Sequence, residues 1–232
     1  MPRRARSLAA ALVATAALLA AGCSGAGVAE DAPPAERLED ARAALDAAGS
    51  VSLDLSSRDV PPRENGVTAA QGQGVVSEEE PKFRGSITGT IDGVAGNVDV
   101  IAIGDTTWIK FFTPDFEEAD LETLGAPNPA MFFHPGDGIS SMLTATQDPQ
   151  TGPDVREGSE VLGTITGTLP GSTVEQVLDL GDGTGSYDVT YGLTENDQLR
   201  TAVVVGPFFD GATSTYTLVI SDYGSPVEIT RP

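Results

Sequence analysis

The feature that most narrows what this chain can become is a two-residue rhythm of apolar side chains, recurring in short segments along most of its length. Val51, Leu53 and Leu55 alternate with polar residues, and Phe83, Gly85, Ile87, Gly89 and Ile91 share one side of the segment Lys82 to Ile91. Successive side chains of a strand point to opposite faces, so this rhythm predicts strands with one buried face. Similar patterns predict strands at 68–76, 97–103, 106–112, 160–169, 186–194, 198–205, 213–221 and 226–230. Asp92-Gly93, Gly104-Asp105 and Asn196-Asp197 fall between them as turns, and connections this short make neighbouring strands antiparallel.

Helical spacing is confined to a few places. Leu38, Ala41, Leu45 and Ala48 fall on one face of Glu36 to Ala48, with Gly49 placed to end the helix. Pro127, Pro129 and Pro135 cut the stretch from Pro114 to Leu143 into short pieces, where Asp137 can cap a turn carrying Ile139, Met142 and Leu143. Ser172 and Glu175 have capping-box spacing ahead of Val177 and Leu178. The sum is an α+β fold: a large antiparallel sheet of about ten strands with helices gathered on one side. A sheet that wide twists and curls. Its concave side either packs solid or encloses an apolar cavity, and the periodicity fits both.

The N-terminus says where the chain goes. Arg3, Arg4 and Arg6 precede an apolar run from Leu8 to Ala21. That run is shorter than the roughly 20 residues a bilayer span needs, and basic, apolar and small residues in that order make a secretory signal. It ends in Leu18-Leu19-Ala20-Ala21-Gly22-Cys23, which resembles a bacterial lipobox, although the leucine usual three places before the cysteine is replaced by Ala20. Cys23 is the only cysteine, so it has no disulfide partner. Lipidation at Cys23 accounts for it, and the resemblance implies a diacylglycerol thioether there, usually with an N-acyl chain. The expected organisation is a signal peptide over 1–22, a flexible tether over 23–35, and one domain over 36–232 on the outer, extracytoplasmic face of a cell membrane.

Removing the three signal arginines from the 13 basic and 34 acidic residues leaves 10 − 34, a mature charge near −24. Such a chain is repelled by nucleic acid and by anionic lipid, so no nucleic-acid partner is expected and membrane contact must come from acyl chains. No Gly-x-Ser-x-Gly elbow, phosphate-cradling Gly-x4-Gly-Lys loop or Cys/His metal spacing occurs. The single histidine, His134, sits in a turn context, Phe-Phe-His-Pro-Gly-Asp, without a matched nucleophile. Asp179, Asp182 and Asp188 miss the calcium-loop spacing. An enzyme, a resident metal and a cofactor are therefore not expected. The tandem pairs Phe111-Phe112, Phe132-Phe133 and Phe208-Phe209 are odd in strands, since neighbours face opposite ways; one of each pair should reach solvent, membrane or a second buried layer.

Several stretches resemble the LppX/LprA/LprF/LprG lipoproteins of mycobacteria and related actinobacteria. They are Trp108–Pro114, Leu124–Ala130, Pro135–Leu143, Thr166–Gly171, Gly206–Phe209 and Thr215–Gly224, in the family's order. The resemblance implies a half-barrel sheet, similar in shape to the Lol lipoprotein carriers, with helices on its concave side and an apolar cavity. It further implies a carrier for acyl chains of triacylated envelope glycolipids, of the phosphatidylinositol mannoside or lipoarabinomannan type, sometimes working with a major-facilitator-type transporter. Strand alternation offers Ile87, Ile91, Val98, Val100, Trp108 and Val189 as lining residues, and the helical insertions offer Met131, Ile139, Met142 and Leu143; each is equally an ordinary core position. A surface lipoprotein acting as a protein-binding scaffold in envelope assembly is the competing reading.

Overall fold

A computed structural model describes residues 32–62, 64–91, 93–124 and 126–232, and the signal segment, Cys23 and the tether up to residue 31 lie outside the described residues. The chain opens with α1 (Pro34–Asp46), followed by β1 (Ser50–Arg58), β2 (Gly66–Val75), β3 (Lys82–Ile91), β4 (Val94–Ile103), β5 (Thr106–Lys110) and β6 (Glu117–Ala119). Short helical pieces follow: α2 (Leu121–Leu124), a 3₁₀ turn (Pro129–Phe133) and α3 (Ile139–Ala145). Then come β7 (Gln147–Thr151), β8 (Val155–Glu157), β9 (Glu160–Pro170), α4 (Gly171–Leu178), β10 (Ser186–Leu193), β11 (Leu199–Phe209) and β12 (Ala212–Ser221).

The strands form one 12-stranded sheet in the order β6-β5-β4-β3-β2-β1-β12-β11-β10-β9-β7, with β8 also beside β9. Two sequential meanders are thus joined at one place, where β1 pairs with β12 from Ser52↔Ser221 to Arg58↔Thr215. The sheet is curled: the Phe209 ring lies 3.7 Å from where a Gly66 Cβ would stand, although β1 and β12 separate their strands. It is not closed, and its margins are unfit for pairing. β6 is Glu-Glu-Ala, and β7 carries Pro149 and a left-handed Asp148 (φ 49°). Charge, proline and shortness blunt a sheet edge in this way.

Apolar alternation puts Val51, Leu53 and Leu55 of β1 into one core with Tyr216, Leu218 and Ile220 of β12. Leu38, Ala41 and Leu45 of α1, Ile139, Met142 and Leu143 of α3, and Val174, Val177 and Leu178 of α4 pack on the same face. The helix layer is therefore on the concave side. Pro34 takes the first helical position, where a missing N–H is harmless, so α1 starts two residues before the expected Glu36.

Three expectations need correction. Asp137 does not cap α3; Gly138 takes the cap position, and the Asp137 carboxylate accepts from Gln176 instead. The Ser172–Glu175 capping box does not form, because α4 begins at Gly171 behind Pro170 and Ser172 is already inside the helix. Residues 226–230 are not a strand. Both edges of β12 are taken by β1 and β11, so the tail lies across the outer face, where Ile229 and Val227 cover Ile101 and Ile103.

The four tyrosines fasten this frame, each donating its hydroxyl to a backbone carbonyl: Tyr187 to Pro207, Tyr191 to Met142, Tyr216 to Val67 and Tyr223 to Leu199, at 2.8–3.2 Å. Burial pushes the Tyr216 hydroxyl up to about 12 and raises those of Tyr191 and Tyr223 further. Tyr187 is raised by burial and then by the Asp182 and Glu175 carboxylates. The folded protein holds these protons while an unfolded chain releases them near pH 10, so their contribution is complete below pH 10 and is lost as pH climbs towards about 12. Tyrosinate absorbance at 295 nm should accordingly stay flat through pH 10 and rise together with the loss of far-ultraviolet circular dichroism; a free titration centred on pH 10 with the fold intact would contradict this.

Candidate functional site: the concave face of the sheet

The two halves of the inner face are built from different side chains. Under the helices, β9 to β12 present Ile165, Leu169, Tyr187, Val189, Tyr191, Leu193, Val204, Tyr216 and Leu218, all buried. A chain of rings, Tyr187–Phe208–Tyr216 with centroids 4.8 and 4.6 Å apart, closes this half. A register shift between Gly206 and Phe209 lets both Phe208 and Phe209 turn inward.

On β2 to β4 the inner face is paved with small residues. Gly72 pairs with Gly85, Gly89 with Gly96, and Ala70 with Ile87. Val98, Val100 and Ala102 continue the floor on β4. A Cβ at Gly72 would come within 2.8 Å of the Gly85 Cα, and the Phe83 ring lies over both glycines, 2.7 Å from where either Cβ would stand. Beside the Phe83 ring, the 3₁₀ turn packs over β2, β3 and β4, held by Asn128, whose side chain accepts from the Ala130 N–H and donates to the Gly104 carbonyl. The Phe133 ring fills the hollow above Gly74 and stacks on Phe83 with centroids 6.0 Å apart. Further along, Ile87, Val98 and Ile109 are only half-buried.

The expected lining residues therefore divide. Val100, Ile139, Met142, Leu143 and Val189 are buried in the main core, and Ile87 and Val98 pack against its edge. Met131 points outward, 36 % exposed. Ile91 pairs with Val94 through its backbone, and its side chain lies outside the described residues. Trp108 is on the wrong face. It pairs with Ile101 and joins Ile101, Ile103 and Ile229 on the outer side, with the Arg231 guanidinium 5.9 Å from its ring. The unbroken apolar run Val100-Ile101-Ala102-Ile103 is the sequence signal for that second layer, since it leaves no polar face.

The space between helices and sheet is small. A crevice of about 10 Å³, room for roughly one water, lies between Leu45, Asp46, Phe132, His134, Ile139 and Ile220. Another, of about 70 Å³, lies between Leu38, Leu143, Thr146 and Pro149. Both are smaller than the roughly 300 Å³ at which ligand pockets start. His134 holds Nδ1 3.5 Å from an Asp137 oxygen at the rim of the first crevice. No cluster of three or more potential metal ligands occurs among the described residues, and no described helix is long and apolar enough to cross a membrane.

A wide, curled, open antiparallel sheet with a helix layer on its concave side defines the class: a half-barrel of the envelope-lipoprotein type. The chain belongs to the LppX_LprAFG lipoprotein family, which it matches over residues 33–229. Its fold is similar to LprF from Mycobacterium bovis, at 15% identity and a TM-score of 0.72, covering 86% of this chain and 96% of that one. LppX from Mycobacterium tuberculosis is similar at 17% identity and a TM-score of 0.61, covering 87% and 100%. No curated protein sequence matches the chain.

Phe133 is the side chain that closes the glycine-floored hollow. Phe133→Ala should cost about 3 kcal/mol, since truncating a buried phenylalanine loses transfer energy and leaves a void. Differential scanning calorimetry should show the melting temperature falling by roughly 6–12 °C; a fall under about 2 °C would mean that the 3₁₀ turn simply collapses onto the glycines.

Proposed function

We propose that this lipoprotein is a carrier that shelters the acyl chains of envelope glycolipids against its concave face, held by acyl chains on Cys23 to the outer face of the cell membrane. The observation that carries the reading is the glycine floor of β2 to β4, roofed by the rings of Phe83, Phe133 and Phe111 and running from the buried core out to half-buried Ile87 and Val98. The strands themselves contribute no side chain at Gly72, Gly74, Gly85, Gly89 and Gly96. Membership of the lipoprotein family over residues 33–229 supports the anchor, and with it the proposed division into signal peptide (1–22), tether (23–35) and a single lipid-binding domain (36–232).

The mechanism is a replacement. Phe83, Phe133 and the 3₁₀ turn cover the glycines in the lipid-free protein, and an acyl chain displaces the two rings and lies along Gly72, Gly85 and Gly89. Moving a chain from bilayer to apolar groove exchanges one dry setting for another, so the net transfer term is small even though transfer from water is worth about 0.8 kcal/mol per methylene. Loading and unloading then need no nucleotide. The head group stays at the rim in water. The ligand class is a triacylated glycolipid of the phosphatidylinositol mannoside or lipoarabinomannan type, and a major-facilitator-type transporter is the proposed membrane partner.

One observation favours a second reading. Crevices of about 10 and 70 Å³ suit a solid domain that binds another envelope protein as a scaffold. Native mass spectrometry of the acylated protein, extracted from its host in mild detergent, separates the two. Bound glycolipid, beyond the mass of the anchor, is expected. Ile87→Trp should then lower occupancy at least roughly fivefold by filling the groove, while the melting temperature stays within a few degrees. A lipid-free wild-type protein, or loading unaltered in the variant, argues for the scaffold.

A further inference from the structure

Three buried side-chain atoms have no hydrogen-bond partner among the described residues: Asp46 Oδ1, His134 Nδ1 and Thr107 Oγ1. Asp46 and His134 line the same crevice, which has room for one water. Thr107 lines neither crevice and is far more deeply buried, at 2 % exposed. A buried hydroxyl that bonds to nothing costs the fold free energy, so its position calls for a reason.

The ladder gives its surroundings. Gly74, Phe83, Ala102, Thr107 and Ala119 stand opposite one another on five successive strands, β2 to β6. Opposed residues project from the same face, and Phe83 and Ala102 belong to the core beneath the helices, so Thr107 is on the concave side. The adjacent row is Gly72, Gly85, Val100 and Ile109. The Phe83 ring leans out of its own row over Gly72 and Gly85. On the floor only Ala102 lies between Thr107 and Phe83, two strand spacings or about 10 Å apart. On the other side, only half-buried Ala119 of β6 separates Thr107 from the margin of the sheet.

We propose that the Thr107 hydroxyl donates a hydrogen bond to the ester carbonyl at the head of a bound acyl chain. The inference rests on the carrier reading and gives that groove a polar point that fixes where a chain stops. Every acyl chain begins at a carbonyl, and a groove that shelters the chain takes this oxygen out of water. An ester oxygen accepts and never donates, so its partner must be a donor, and the Thr107 hydroxyl is a buried donor with no acceptor. With the Phe83 ring moved aside, a chain that enters over the β6 margin crosses Ala102 to reach Gly85 and Gly72. Its carbonyl then lies beside Thr107, its methylenes lie on the glycines, and its head group stays beyond β6 in water. Each polar group is costly alone in an apolar site, so pairing them selects for the ester more sharply than chain length does.

The test is a competition. The acylated full-length mature protein, in mild detergent, is mixed with equal amounts of dipalmitoylphosphatidylinositol and its dihexadecyl ether analogue, which has methylenes in place of the two ester carbonyls. Native mass spectrometry counts each bound lipid. The wild type is expected to take the ester at least roughly fivefold over the ether. Thr107→Val should take the two within about twofold of each other, and Thr107→Ser should keep the preference. Lipid-free Thr107→Val should melt no lower than the wild type, because a methyl suits an apolar site better than an unbonded hydroxyl. A melting temperature more than about 3 °C lower overturns the proposal, since the hydroxyl then serves the fold. Equal loading of ester and ether by the wild type, or an ester preference that survives in Thr107→Val, overturns it while the carrier stands. A wild type that loads neither lipid removes the carrier and this site together.

Discussion

The pairing of β1 with β12 is the constraint on which the rest depends. Everything from β1 to β6 is a sequential meander, and so is β9 to β12; each could form from local hairpins. Only the ladder from Ser52↔Ser221 to Arg58↔Thr215 turns two meanders into one curled wall, and it joins residues more than 150 positions apart. Such a contact carries a large loop-closure cost. The core follows its lead: Leu53 and Leu55 meet Leu218 and Ile220 across this seam, and α1 settles on the wall that results. The Tyr216 hydroxyl bond to the Val67 carbonyl spans the same seam from β12 to β2.

On either side of the seam the wall has two textures. The C-terminal half is filled by aromatic and branched residues beneath α1, α3 and α4. The N-terminal half sets glycines on β2 to β4 beneath the rings of Phe83, Phe133 and Phe111 and one 3₁₀ turn. A sheet under uniform selection for stability would fill both, since glycine in a strand loses chain entropy and packs nothing. The difference in fill, more than any polar constellation, distinguishes the two halves of the face. No cluster of three or more potential metal ligands occurs among the described residues.

Much of this was legible. Alternation placed Ile87, Val98, Val100 and Val189 on the helix-facing side, because a strand has only two sides and the core must have one. Trp108 went astray because its face depends on hairpin register. With Ile103 opposite Thr106 across the Gly104-Asp105 turn, Trp108 falls opposite Ile101, whose neighbours Val100 and Ala102 face the other way. Alternation of Val227 and Ile229 predicts a strand in the tail, but periodicity does not reveal whether a free edge exists to receive it. β7 and β8 carry no alternating apolar signal, because proline and acidic residues mask them. The glycine floor was visible as a sequence pattern, but not which glycines would face one another. Of the tandem phenylalanines, the expectation that one of each pair faces outward holds for Phe112 and fails at Phe208-Phe209, where a register shift absorbs both.

The blunted margins of the sheet have a consequence that reaches past the single molecule. Lipid-anchored chains are confined to two dimensions, where neighbours collide far more often than in free solution and with their orientations partly aligned. An open twelve-stranded wall with two naked borders would, in such a crowd, zip into ribbons. The diglutamate rim of β6 and the proline-broken rim of β7 repel or misfit an approaching copy. On a crowded membrane surface such rims discourage edge-to-edge pairing between neighbouring copies.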